Sequence, residues 1–103
     1  MLLRHATPIR NLPGIQRHGL LCSKSQGRLQ AVWLAAREKS SWAAMHVAWR
    51  HGARIEAVIT LEVDVPRSWL RRSRKGLWYC TRDIPPDRIQ RLFGFVELAR
   101  AAG

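Results

Sequence analysis

From Ile55 to Val65 the chain alternates. Ile55, Ala57, Ile59, Leu61, Val63 and Val65 occupy one set of positions, and Glu56, Val58, Thr60, Glu62 and Asp64 the other, until Pro66 breaks the pattern. A period of two puts successive side chains on opposite faces of an extended chain, so a strand is predicted over 55–65. Leu2 to Thr7 reads as a shorter apolar strand that Pro8 stops, and Ala31 to Ala35 is a continuous apolar run of the kind a buried strand carries. Leu77 to Thr81 has the β propensity of Trp78 and Tyr79. Ile89, Arg91, Phe93 and Phe95 alternate against Gln90, Leu92, Gly94 and Val96 in a last predicted strand.

Two segments have the helical period instead. Asn11 as a cap, Pro13 in the first turn, Leu12 and Ile15 three apart and Gly19 as terminator predict a two-turn helix. Between Arg37 and His51, Trp42, Met45 or His46, and Trp49 recur at helical spacing, and Gly52 stands where a left-handed cap belongs. This is the predicted long helix, and its Trp42 and Trp49 stripe is expected in the core. Ser23 to Gln30 has loop composition and is read as a surface connection or as a lid over a ligand. Pro66 to Lys75 is read as a basic connection anchored by Trp69 and Leu70, and Pro85-Pro86 as an extended turn. The tail from Ala99 is expected to fray. The order strand, helix, strand, helix, strand, strand, strand makes one α+β domain over 1–103, with no internal repeat.

Composition sharpens this picture. The 103 residues suffice for one core, and the apolar runs fall far short of a bilayer span, so no membrane partner is expected. The start Met1-Leu2-Leu3-Arg4-His5 lacks the plan of an export signal, and a cytoplasmic location is expected. Cys22 and Cys80 lack the spacing of a zinc site and are read as buried or free thiols. Eighteen Lys and Arg against seven Asp and Glu leave a net charge of +11. Fifteen of the cations are Arg, whose planar fork matches phosphate. Codon usage in a GC-rich genome enriches Arg too, so the placement of the cations decides between the two readings.

Four short motifs in order carry a resemblance. Leu3-Arg4-His5-Ala6-Thr7 and the helix ending His18-Gly19-Leu20 resemble the opening of the ADP-ribosyltransferase superfamily, a "His-Gly-Thr" strand before an "Ile-x-x-x-Gly-Leu" helix. Val32-Trp33-Leu34-Ala35 is similar to its second core strand, and Ile84-Pro85-Pro86-Asp87-Arg88-Ile89 to the turn before its last strand. Arg72-Ser73-Arg74-Lys75-Gly76-Leu77 resembles the "Arg-Ser-x-Asn-Gly-Val" segment of the RNA 2′-phosphotransferase branch. The resemblance covers most of residues 3–97 and implies a split β-sandwich with flanking helices that binds NAD, as a substrate, between two small sheets. It implies that His5 holds a ribose hydroxyl, that Ala6 and Thr7 line the same pocket, and that Trp33 and Tyr79 are its walls. Arg72 is the candidate for phosphate chemistry, with Arg71, Arg74 and Lys75 as neighbouring cations that RNA or DNA would meet. Ala6 stands where the family has Gly, and no carboxylate lies between Asp64 and Asp83, where many of its members carry a catalytic Glu near the position of Leu77.

The remaining polar residues offer less. Glu62 and Asp64 share a face of the third strand and are either paired catalytic carboxylates or partners of neighbouring Arg. His46 and His51, five apart, do not share a helix face, and no metal is expected. Two functions follow: an NAD-dependent transferase with His5 and Arg72 as catalytic residues, or a basic module that binds RNA or single-stranded DNA without catalysis.

Overall fold

The computed structural model describes residues 1–25, 29–73 and 76–95. Its elements are β1 (Leu2–Pro8), α1 (Leu12–His18), β2 (Val32–Leu34), α2 (Ser40–Arg50), β3 (Val58–Asp64), β4 (Leu70–Arg72), β5 (Trp78–Cys80) and β6 (Ile89–Gly94). The strands form two antiparallel three-stranded sheets, ordered β1-β3-β6 and β2-β5-β4. The fold is therefore α+β, with two helices and two small sheets.

The predicted alternation in β3 explains the layering. Leu61 opposes His5 and Val63 opposes Leu3 across the β1–β3 ladder, and this face packs on Val32, Leu34, Leu70 and Cys80 of the second sheet. The reverse face is covered as well: Val58 and Phe93 pack against Ala44 and Ala48 of α2. That second cover is why Val58 and Thr60, on the nominally polar side of the alternation, are buried. β3 starts at Val58 rather than Ile55, because Ile55–Ala57 forms a 3-10 turn.

α2 corrects the expectation for the tryptophans. Its buried residues are Ser40, Ala44 and Ala48, whereas Trp42 and Trp49 are 49% and 78% exposed. Small side chains let the helix axis approach the sheet closely, and the aromatic stripe at the same helical period faces solvent. Periodicity located the helix; it could not say which stripe faces inward.

Three further differences are local. Asn11 does not cap α1, since its Nδ2 donates instead to Thr7 Oγ1 at 3.1 Å. Leu70–Arg72, expected as a connection, forms strand β4, because Leu70 and Arg72 find Cys80 and Trp78 opposite them. β6 ends at Gly94, two residues before the expected Val96, which lies outside the described residues with the rest of the tail. Gly19, the expected terminator, has φ +81°, and a Cβ there would stand 2.1 Å from the Ile84 carbonyl oxygen. The Leu20–Ile84 bridge it permits ties the end of α1 to the loop before β6.

Candidate functional site

Among the described residues, backbone hydrogen bonds join the two sheets at one residue pair. Arg4 N–H donates to the Ala35 carbonyl at 2.8 Å and Ala35 N–H returns a bond to Arg4 at 2.7 Å. A continued antiparallel ladder would next pair Ala6 with Trp33. The strands diverge there instead, and the Trp33 carbonyl takes a hydrogen bond from His5 Nδ1 at 2.7 Å. His5 is thus a wedge at the point where the sheets part.

The bond also sets the chemistry of the ring. A carbonyl only accepts, so Nδ1 carries the hydrogen, and the neutral imidazole keeps a lone pair on Nε2. Burial lowers the His5 pKa, outweighing the Trp33 bond that raises it, so the neutral form is favoured. Ala6 is turned the same way as Arg4 by the alternation of β1, toward the seam. Its amide and carbonyl have no backbone partner there among the described residues. Thr7 is buried and holds Asn11, which fastens β1 to the start of α1.

Register sorts the second sheet into two faces. Val32, Cys80 and Leu70 oppose one another and are buried, and Leu34, Trp78 and Arg72 oppose one another two residues further on. Residues two apart share a face, so both rows belong to the core side, with Arg72 at its exposed edge. Trp33, Tyr79 and Arg71 form the row on the reverse face. Trp33 and Tyr79 contact each other, with ring centroids 5.2 Å apart and planes tilted by 41°. Trp33 and Tyr79 therefore touch on the reverse face, His5 reaches Trp33 through its main-chain carbonyl, and the cation opposite Tyr79 is Arg71 rather than Arg72.

Arg72 lies over the Trp78 ring instead, its guanidinium carbon 4.7 Å from the centroid. Next to it, Ser73 Oγ is buried without a hydrogen-bond partner among the described residues. Arg74 and Lys75 lie outside the described residues.

Sequence reasoning passed over Arg4 as a determinant of the site. Its side chain is 5% exposed, bonds Glu62 Oε2 through Nε and Nη2 at 3.2 and 3.1 Å, and reaches Ser40 Oγ at 3.4 Å. Backbone and side chain of this one residue thus connect both sheets and α2, immediately before His5. The available signal was a cation in β1 and an anion in β3, both on the polar alternation of their strands. Glu62 is occupied by Arg4, and Asp64 by the N-terminal amine at 3.1 Å, so the two carboxylates do not act as a pair. A cavity of about 250 Å³ lined by Leu2, Arg4, Arg37, Glu62, Arg91 and Phe93 opens on the α2 side of the first sheet, away from His5.

No group of three or more His, Cys, Asp or Glu side chains suited to a metal occurs among the described residues. No helix there is long and apolar enough to cross a membrane. Cys22 and Cys80 are both free thiols. No protein-family model and no curated protein sequence matches the chain.

Proposed function

We propose that this chain is an NAD-dependent transferase of the ADP-ribosyltransferase type, with a split β-sandwich that holds NAD at the seam of its two sheets. It would pass ADP-ribose to an acceptor carrying a phosphate or a nucleobase, or act on an RNA 2′-phosphate. The observation that carries this reading is the His5–Trp33 hydrogen bond at the point where the sheets diverge. It ties the residue expected to bind ribose to the main chain of Trp33, whose ring contacts Tyr79 on the other face of the second sheet.

The residues present fit the substrate. His5 Nε2 is an acceptor for a ribose hydroxyl, and the unpaired Ala6 amide and carbonyl match the donor and acceptor of a carboxamide. An Ala in place of the family's Gly keeps that backbone amide. Trp33, 38% exposed, offers an apolar ring surface on the outer face of the second sheet, next to Tyr79. Arg71 and Arg72 supply positive charge for a pyrophosphate or an acceptor phosphate, and the orphaned Ser73 hydroxyl is a further polar group at that end. In the reaction the nicotinamide nitrogen leaves with the glycosidic electron pair, and the acceptor's nucleophile bonds to the ribose carbon and releases its proton. These side chains orient the substrate and balance its charge; none is a carboxylate that would steady the developing cation.

The test is nicotinamide release from NAD by the purified protein, alone and with cellular RNA or DNA, against His5→Ala and Arg72→Ala. Release that falls at least tenfold in His5→Ala supports the reading.

The second reading is a non-catalytic module that binds RNA or single-stranded DNA. It is favoured by the exposed Trp42, Met45 and Trp49 on α2 and by the absence of a carboxylate from 65 to 82. No nicotinamide release and no NAD-induced thermal shift, with salt-sensitive RNA binding, would establish it in place of the first.

A further inference from the structure

Arg82 and Arg88 sit over one indole. The guanidinium carbon of Arg82 is 3.9 Å from the Trp69 ring centroid and that of Arg88 is 5.4 Å from it. They come from different segments, the loop after β5 and the 3-10 turn Pro86–Arg88 before β6, while Trp69 ends the 3-10 turn that leads into β4. The two like charges are therefore brought together by the fold and not by adjacency in the chain.

Neither Arg is in an ion pair among the described residues. The nearest acids in sequence do not serve them. The Asp83 carboxylate is taken by the Cys22 amide at 2.9 Å, and Asp87 is exposed and in no ion pair among the described residues. A guanidinium held near a ring face by its charge makes no hydrogen bond to the ring, so its N–H donors stay available for phosphate oxygens. The indole also limits the rotamers of both arginines, so less freedom is lost when an anion binds.

We propose that Arg82 and Arg88, mounted on Trp69, form a phosphate-binding site. Its ligand is a phosphate group, supplied by a free phosphate ester or by the backbone of a nucleic acid. The site uses none of the residues assigned to NAD and stands whether or not the chain is a transferase.

The experiment follows the Trp69 indole N–H by NMR, assigned through Trp69→Phe, during titration with inorganic phosphate, with pyrophosphate and with a single-stranded uridylate decamer. The same titrations are repeated on Arg82→Ala/Arg88→Ala, on Arg82→Lys/Arg88→Lys and on Arg10→Ala/Arg50→Ala, which removes the same charge elsewhere. A saturable shift with either small anion shows that a free phosphate group suffices as the ligand, and a shift with the decamer alone identifies a nucleic-acid backbone. Affinity should then fall about tenfold or more in Arg82→Ala/Arg88→Ala and far less in Arg10→Ala/Arg50→Ala. The Lys pair, with the charge but no fork, should fall between them. For the decamer, the dependence of log affinity on log salt should flatten by about 0.7 per arginine removed. An indole signal that no anion moves, or equal losses in the two Ala pairs, would overturn the proposal; the Lys pair, spectrally native, guards against misfolding as the cause of a loss.

Discussion

The Arg4 guanidinium is held by Glu62 through two donors, Nε and Nη2, on a single oxygen, at 3.2 and 3.1 Å. The pair is largely buried, with the two side chains 5% and 14% exposed, and Arg4 also lies 4.4 Å over the Phe93 ring. Desolvating two charges offsets most of their attraction, so the pair contributes little net stability as a unit but is costly to halve. Because the Arg4 backbone makes the bridge between the sheets, this pair fixes where His5 stands.

Removing one partner should therefore destabilise strongly. Glu62→Ala is expected to cost about 3 kcal/mol or more in urea unfolding, whereas Arg4→Met with Glu62→Leu should recover much of that loss. Arg54→Ala, which breaks an exposed pair with Glu56, should leave the midpoint unchanged. A Glu62→Ala midpoint equal to wild type would show that the pair is not buried as described.

His5 gives a pH dependence of definite sign. Its folded pKa lies below the ordinary 6.5, so the unfolded chain binds the proton more readily. The stability it contributes is complete above pH 6.5 and is lost as the pH falls from there through the lowered folded value. Wild type minus His5→Gln, compared across that window by chemical denaturation, should show a difference that shrinks toward acid. A difference that grows toward acid would reverse the assignment.

Cys22 should be a slow nucleophile. A hydrogen bond to Asp83, burial and the nearby negative charge raise the thiol pKa, and hydrogen bonds from the Cys22 backbone amide and then its thiol lower that of the Asp83 carboxyl. Alkylation by iodoacetamide at neutral pH is expected to run slower than for a free cysteine, and Asp83→Asn should speed it severalfold. Mass spectrometry of the labelled peptide separates Cys22 from the buried Cys80.

The two stripes of α2 should respond in opposite ways. Ala48→Leu forces a larger side chain between helix and sheet and should cost about 1–3 kcal/mol. Trp49→Ala removes a side chain that is 78% exposed and should change stability by no more than about 0.5 kcal/mol. Thermal unfolding of both variants checks the orientation of the helix, and the reverse order would mean that the aromatic stripe is the core.

Two glycines make a paired test. Gly14, in α1, has nothing within 4 Å of an added Cβ, so Gly14→Ala should stabilise by about 0.5–1 kcal/mol. Gly19→Ala meets the Ile84 carbonyl in a left-handed backbone and should destabilise by about 1–3 kcal/mol. Differential scanning calorimetry reads both.

Much of the fold was legible in local pattern. The period of β3, the short apolar runs of β1 and β2 and the helical spacings with Gly19 and Gly52 as stops located most of the elements within a few residues. The exception, β4, has three residues and two arginines, so its strand state comes from hydrogen bonds to β5 and not from its own propensity. Part of the candidate site had a signal in the sequence: His5, Trp33 and Tyr79 were named, and the structure links His5 to the Trp33 carbonyl and the Trp33 ring to Tyr79, while Arg71 and Arg72 could not be ranked without the register that places only Arg71 opposite Tyr79.

The sequence by itself determined which segments extend and which coil, since alternation, helical spacing, proline and glycine act over neighbouring residues. It also determined the excess of arginine. Tertiary structure alone decided what each face meets. Which stripe of α2 is buried depends on the small residues that fit against Val58 and Phe93, and the pairing of Arg4 with Glu62 and the mounting of Arg82 and Arg88 on Trp69 depend on distant segments coming together. These are contacts between residues far apart in the chain, and no period within one segment encodes its partner.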